Sequence, residues 1–273
     1  METSAPRIHT APARTILSVS GPEARALLQR VITADVERLE AGQCRPGALL
    51  TPQGKLAVDF LMMADGDTVW LDVPASAAEA FAKRLSMFKL RAKAEIVINT
   101  DLAALWSEQP FEGSAPDPRF GEGVHRGIGE EAGDAISLDA LEIEHGIPAF
   151  GRDYNEAGVF PTDVNLDVYG GIGWKKGCFI GQEVVSRMKR RGTIRKRSLA
   201  VSFDSDAPPA GTPITAGTTT LGEITSAHGH HAIALIRLDK LDSASEAPQA
   251  ADQPARIALP DTLRPEAPAE KVT

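Results

Sequence analysis

Lys175-Lys176-Gly177-Cys178-Phe179-Ile180-Gly181-Gln182-Glu183 is the stretch on which the reading of this chain turns. It sets one of only two cysteines between glycines and beside two lysines. From Gln182 onward the sequence reads helical, with Val184, Val185 and Met188 on one side. Cys178 is therefore expected just outside a helix N-terminus, facing the positive end of its dipole. Gly177 and Gly181 would free the backbone for a tight turn. A thiol acts as nucleophile or metal ligand only as thiolate, a form that cations and helix N–H groups favour. A free cysteine is equally at home as a small buried hydrophobe, and the residue types alone leave both readings open.

Charge gathers around the same stretch. The chain carries −8, yet Lys175 to Arg197 holds nine Lys/Arg against one Glu. An acidic protein with one basic stripe should attract an anion locally while repelling polyanions in general. A small anion such as a phosphate would fit, as would RNA, and so would a solvated helix face. Aromatic residues for base stacking are not interleaved in 187–197, so any RNA contact there would be to the backbone. Cys44 and Cys178 stand alone, which argues against a disulfide framework and a self-contained metal site. A reducing cytoplasm is the compartment this predicts. No apolar run is long enough to span a membrane, and the first 14 residues lack a secretory apolar core.

The remaining pattern predicts an α+β protein. Thr15 to Val19 reads as a strand, and Ser20-Gly21-Pro22-Glu23 as a capping box before a helix carrying Leu27, Leu28, Val31 and Ile32. Leu56–Met63 and Thr68–Val73 alternate as a hairpin around Ala64-Asp65-Gly66-Asp67. Ser76 and Glu79 suggest a second capping box, with Phe81, Leu85 and Phe88 on one helical face, and Ala94–Ile98 comes next as a strand. Residues 107–126 read as a connection, and a helix is expected from about Asp134 to His145. Ser198–Phe203, Gly222–Ser226 and Ala232–Ile236 predict a small barrel, with Arg256–Pro260 as a returning strand. Ser243–Pro254 is expected to be mobile.

Lys-Gly-Cys-aromatic-x-Gly-Gln-Glu resembles the signature of the YgfZ/GcvT-like proteins, folate-binding relatives of the T-protein (aminomethyltransferase) of the glycine cleavage system. Other segments are similar in the same order. They are Leu27-Leu28-Gln29 with Thr33-Ala34-Asp35, Thr51-Pro52-Gln53-Gly54-Lys55 leading to Asp59, Gly146-Ile147-Pro148, and Phe160-Pro161-Thr162-Asp163. Arg187, Gly192 and Lys196-Arg197 are similar to the family's residues downstream of the cysteine. The resemblance spans about residues 15–240.

It implies a T-protein-like ring of three modules around a central folate hole. Module 1 would comprise 1–45 and 118–194, module 2 residues 46–117, and a C-terminal β-barrel residues 195–262, with 263–273 a disordered tail. The implied role is that of a tetrahydrofolate-binding accessory factor for iron–sulfur proteins or their assembly factors, indirectly supporting tRNA modification. Cys178 would be the functional thiol. Asp59 and Glu144 would contact the folate, and Asn165, Lys176, Gly177, Gln182, Glu183 and Arg187 would complete the site. Asp167 would approach the cysteine once the chain turns at Gly170-Gly171. In the transferases two adjacent acids hold the folate amine; here the pair reads Val58-Asp59. Glu142 also departs from the basic residue many relatives carry there. Two rivals remain, a folate-dependent one-carbon transferase and an RNA-binding protein.

Overall fold

A computed structural model describes residues 5–260. The chain divides into two compact units, Met1–Glu142 with Pro148–Ile194, and Ile143–Ile147 with Arg195–Thr273. In chain order the first contains β1 (His9–Thr10), β2 (Arg14–Ser20), α1 (Ala24–Val31), β3 (Arg45–Leu50), β4 (Leu56–Asp65) and β5 (Thr68–Pro74). It continues with α2 (Ala78–Lys89), β6 (Glu95–Asn99), β7 (Ala103–Ser107), β8 (Ala115–Pro116), β9 (His125–Gly129), α3 (Asp139–Glu144, whose last two residues belong to the second unit) and α4 (Gln182–Arg190).

Two antiparallel sheets form the first unit, in the strand orders β3-β4-β5-β2-β6 and β1-β7-β9-β8. The period-two alternation of β4 gives the larger sheet two different faces. Phe60 and Met62 join Leu17, Leu71, Leu27, Leu28 and Phe81 in the main apolar core, where the Phe60 and Phe81 rings stack at 5.1 Å. Leu61 and Met63 pack instead with Cys44 and Ala115, and Asp72 stands opposite Leu61 in the register.

The β4–β5 hairpin closes with Asp65 opposite Thr68, as the alternation predicts. Neither capping box forms. The α1 cap is Glu23 without a side-chain bond, and its carboxylate accepts from the Lys93 N–H at 2.5 Å instead. Gly21 lies at φ 105, and a Cβ there would stand 2.8 Å from the Lys93 carbonyl. Ser76 sits in a 3₁₀ turn, and α2 is capped by Ala77. The expected connection at 107–126 conceals structure, since β8 and the start of β9 lie in it and Asp117 and Arg126 are buried. The helix expected from Asp134 shrinks to α3.

The second unit contains β10 (Lys196–Ser202), β11 (Pro213–Ala216), β12 (Thr219–His228), β13 (His231–Arg237), α5 (Leu238–Leu241), β14 (Gln249–Ala250), β15 (Gln253–Pro254) and β16 (Arg256–Ala258). One seven-stranded sheet in the order β15-β14-β11-β12-β13-β10-β16 curls into a nearly closed barrel around Leu199, Val201, Ile214, Ile224, Ala234 and Ile236. The segment 243–254, expected to be mobile, supplies β14 and β15. The expected disordered tail lies outside the described residues.

Candidate functional site

Most of the segments that share the family resemblance lie in the first unit, while Gly146-Ile147 and Lys196-Arg197 belong to the second. Cys178 is exposed and precedes α4, whose cap is Gly181 at φ 76. The next side chain, Phe179, is the anchor. It is buried in a satellite core with Leu50, Leu56, Tyr154, Leu166, Ile172 and Val185. Gly181 has no room for a side chain, since a Cβ would meet the Thr51 carbonyl at 2.6 Å and Gly54 Cα at 3.0 Å. Gly54, at φ 77, would in turn meet Val184 at 2.9 Å. The β3–β4 turn and the start of α4 thus touch backbone to backbone. Gly177 has open space around it and is not one of the glycines at positive φ.

Thr33 fastens the loop that leads to the cysteine. Its hydroxyl donates to the Gly171 carbonyl at 2.7 Å and accepts from the Ala48 N–H at 2.9 Å. The Gly173 N–H donates to the Thr33 carbonyl. Lys176 completes the seam, its ammonium donating to the Ile32 and Ala34 carbonyls, both at 2.7 Å. Burial pulls this ammonium down to about 8, against the raising pull of Asp35 and Glu37. Lys55 donates to the Gly158 carbonyl at 3.3 Å and stands 3.8 Å over the Phe160 ring.

The other expected site residues have varied surroundings. Glu183 and Arg187 form an exposed ion pair at 2.6 Å. Gln182 opens α4, half-buried. Asn165 is buried at φ 61, and its carbonyl accepts from the Val168 and Tyr169 N–H groups. Asp167 is half-buried and its carbonyl accepts from Gly170 N–H. Glu144 is exposed and belongs to the second unit. The acid that α3 buries is Glu142, which pairs with Arg119 at 3.8 Å and Arg152 at 3.0 Å. In the basic stripe, Lys189 lies 3.9 Å over the Trp174 ring and Arg197 is buried, while Arg190, Arg191, Arg195 and Lys196 are exposed.

Asp59 occupies the inter-sheet side of β4. Its Oδ1 is buried without a hydrogen-bond partner. The Tyr154 hydroxyl bonds to Asp59, and burial together with that neighbouring charge pushes the phenol well up. Arg14 and Arg119 feel the Asp59 charge too. Both line a cavity of about 250 Å³ that also takes in Arg126, Glu142, Phe150 and Arg152. Arg126 is buried with its Nε unpartnered. Sequence reasoning missed Thr33, Tyr154 and the arginine-lined cavity.

The two cysteines make an internal comparison. Cys178 is open to solvent, whereas Cys44 is packed against Leu61, Met63 and Ala115, and burial pushes its thiol up. Native protein should therefore titrate one thiol with a chromogenic disulfide, with Cys178 reacting about ten-fold or more faster than Cys44. The second thiol should appear on denaturation. Mass mapping of the labelled peptide checks the assignment, and native labelling of Cys44 at an equal rate would contradict it.

Several known proteins are similar to this chain. Residues 195–265 match the family model described as the CAF17 C-terminal beta-barrel domain. A Mycosarcoma maydis protein named "Iron-sulfur cluster assembly factor IBA57 homolog, mitochondrial" is 30% identical, over 90% of this chain and 67% of that protein. The tRNA-modifying protein YgfZ of Vibrio vulnificus is 27% identical, over 67% of this chain and 66% of that one. The chain spans 51–57% of the length of four further fungal relatives. The glycine cleavage system aminomethyltransferase T from Bartonella henselae shares the fold, with a TM-score of 0.69 at 15% identity over 86% of this chain and 79% of that one. One expectation is corrected. The cytoplasmic location read from cysteine usage does not stand, because the fungal and human relatives are named as mitochondrial proteins. Paucity of cysteine reports a reducing environment, which more than one compartment provides. With its barrel, its T-protein fold and a relative at 30% identity over most of both chains, this chain belongs to the YgfZ/GcvT-like family that includes the IBA57 iron–sulfur cluster assembly factors.

Proposed function

We propose that the chain is a folate-binding accessory factor in the assembly or repair of iron–sulfur proteins, with Cys178 as its working thiol. The names of the fungal relative and of the Vibrio relative, a cluster assembly factor and a tRNA-modifying protein, support the coarser role. The folate reading rests on the buried, unpartnered Oδ1 of Asp59. An acceptor without a partner in the interior is costly, and a reduced pterin offers it amino and ring N–H donors. The pterin carbonyl would accept from the unused Arg126 Nε, and Phe150 offers a ring beside the same cavity. Tetrahydrofolate, when bound, supplies a carrier for a one-carbon unit. The residues of the chain would orient it and keep water from its ring. Tyr154 would hold Asp59 in place while its own ring packs in the cluster that anchors Phe179.

A transferase reading is less well supported. Val58 is buried in the helix-facing core, on the opposite side of β4 from Asp59, so no second acid is available there to serve an amine. RNA contact through 187–197 would fall to the exposed cations Arg187, Lys189, Arg190, Arg191, Arg195 and Lys196.

Calorimetry tests the folate reading. Tetrahydrofolate should bind at one site per chain, and Asp59→Asn, which keeps an acceptor for Tyr154, should weaken it about ten-fold or more. Absence of heat, with no competition by folate analogues, would remove folate from the proposal.

A further inference from the structure

The first unit carries a second concave surface that neither the folate reading nor the thiol uses. A groove of about 490 Å³ runs between α1 and the C-terminal end of α2, lined by Leu27, Val31, Phe88, Leu90 and Ile180. Leu90 is 87% exposed, and the neighbouring Met87 and Phe88 are 66% and 39% exposed. Phe88 thus departs from the buried helical face on which its spacing places it. Leu90 caps α2 at φ 47 and ψ −108, a region that side chains with a Cβ rarely enter. The strained backbone holds a leucine out in water beside two other large apolar side chains. Contiguous apolar exposure of this kind marks an interaction surface more often than it marks an idle one.

Charge says what the surface fits. Arg30, Lys89 and Arg91 line the same groove. None of the three has a side-chain hydrogen bond or ion pair among the described residues. The one acid in the lining, Glu23, is held by the Lys93 N–H. Three free cations around an apolar groove, on a chain of net charge −8, complement a ligand that is apolar on one face and acidic at its flanks. Grooves between helices commonly accept such a ligand as an amphipathic helix.

We propose that this groove docks an acidic amphipathic helix of a partner protein, its apolar face over Phe88 and Leu90 and its carboxylates against Arg30, Lys89 and Arg91. Ile180 lines the groove and follows the exposed Cys178 by two positions, so a docked partner would touch the loop that carries the thiol. Docking itself does not depend on the role proposed for Cys178 or on folate.

The test uses the full chain and a fluorescein-labelled helical peptide with leucines at i, i+3, i+4 and i+7 and glutamates elsewhere. Anisotropy should show saturable binding. Affinity should fall about ten-fold or more in Leu90→Gly, which removes the anchor and suits the backbone, and in the combined Arg30→Glu, Lys89→Glu, Arg91→Glu chain. Replacing the peptide glutamates by lysine should have the same effect. Thermal melts confirm that each variant is folded. No saturable binding, or equal affinity across the variants, overturns the proposal. So does binding to phosphatidylserine vesicles in place of the peptide, which would assign the groove to a lipid surface. Dimerisation that Leu90→Gly abolishes would assign it to a second copy and equally overturn the proposal.

Discussion

Replacing Asp72 with alanine is expected to lower the unfolding free energy by about 3–5 kcal/mol, the range for stripping one partner from a buried ion pair. Asp72 is buried between the sheets. Its Oδ1 accepts from Arg14 Nε at 2.6 Å and its Oδ2 from Arg126, itself buried. Its carbonyl accepts from Arg14 Nη2 at 2.6 Å. Without the carboxylate two guanidinium groups share the interior with less compensating charge. The exposed pair Arg187–Glu183 of the same unit provides the contrast, since Arg187→Ala should cost no more than about 1 kcal/mol. Trp70, Trp106 and Trp174 all lie in the first unit, so urea denaturation followed by tryptophan fluorescence reads the unit that matters. Acid adds a second signature. Burial pushes the Asp72 carboxyl up, but Arg14 and Arg126 together outweigh it and hold it below its ordinary 3.8. A carboxyl depressed in the folded state contributes stability above its unfolded value and loses it as pH falls through the folded one. Wild-type stability should therefore drop below about pH 4, and Asp72→Ala should flatten part of that acid limb. Asp117, which burial pushes up but Arg119 more strongly holds down, retains a further part.

Cys178→Ala should separate function from folding. In cells whose own relative has been deleted, this variant should leave iron–sulfur enzyme activity at the level of the deletion, most visibly under oxidative stress, when clusters are damaged and thiols oxidise. The purified variant should unfold within about 0.5 kcal/mol of wild type, because an exposed side chain contributes little to packing. Its tetrahydrofolate affinity should be unchanged. Purified wild-type protein given tetrahydrofolate and an aminomethyl donor should form no methylene-tetrahydrofolate above background. Full complementation by Cys178→Ala, together with robust transfer in vitro, would replace the accessory factor by the transferase.

Local pattern carries much of the fold. The alternation of β4 and β5 around Gly66 reads directly as a hairpin, and Leu27, Leu28 and Val31 read as a helix face. The second sheet is hidden because its strands are short and set among Pro, Gly and acidic residues. Part of what holds them is ionic, with Asp117 on Arg119 and Asp72 on Arg126, and ion pairs leave no hydrophobic period. The capping boxes mislead for a related reason. A serine with a glutamate three residues on offers a local bond, but the tertiary contact with Lys93 claims Glu23 first. At the site, the residue types around Cys178 are legible while their fastening is not. Thr33 binds a carbonyl 138 positions away, and nothing in the flanking sequence records such a bond.

The backbone contact between Gly54 and Gly181 also bears on the order in which the molecule assembles. The β3–β4 hairpin is made of near neighbours in sequence and can form early. The loop that presents Cys178 must return to it from far along the chain, and closing so long a loop precedes any reward from packing. The cysteine segment is therefore among the last parts to dock. Until it does, the thiol, the anchor Phe179 and the apolar side of α4 are all in water together. A folding chain of this kind is most vulnerable to miscapture through those apolar side chains in that final interval, just before its two glycines meet.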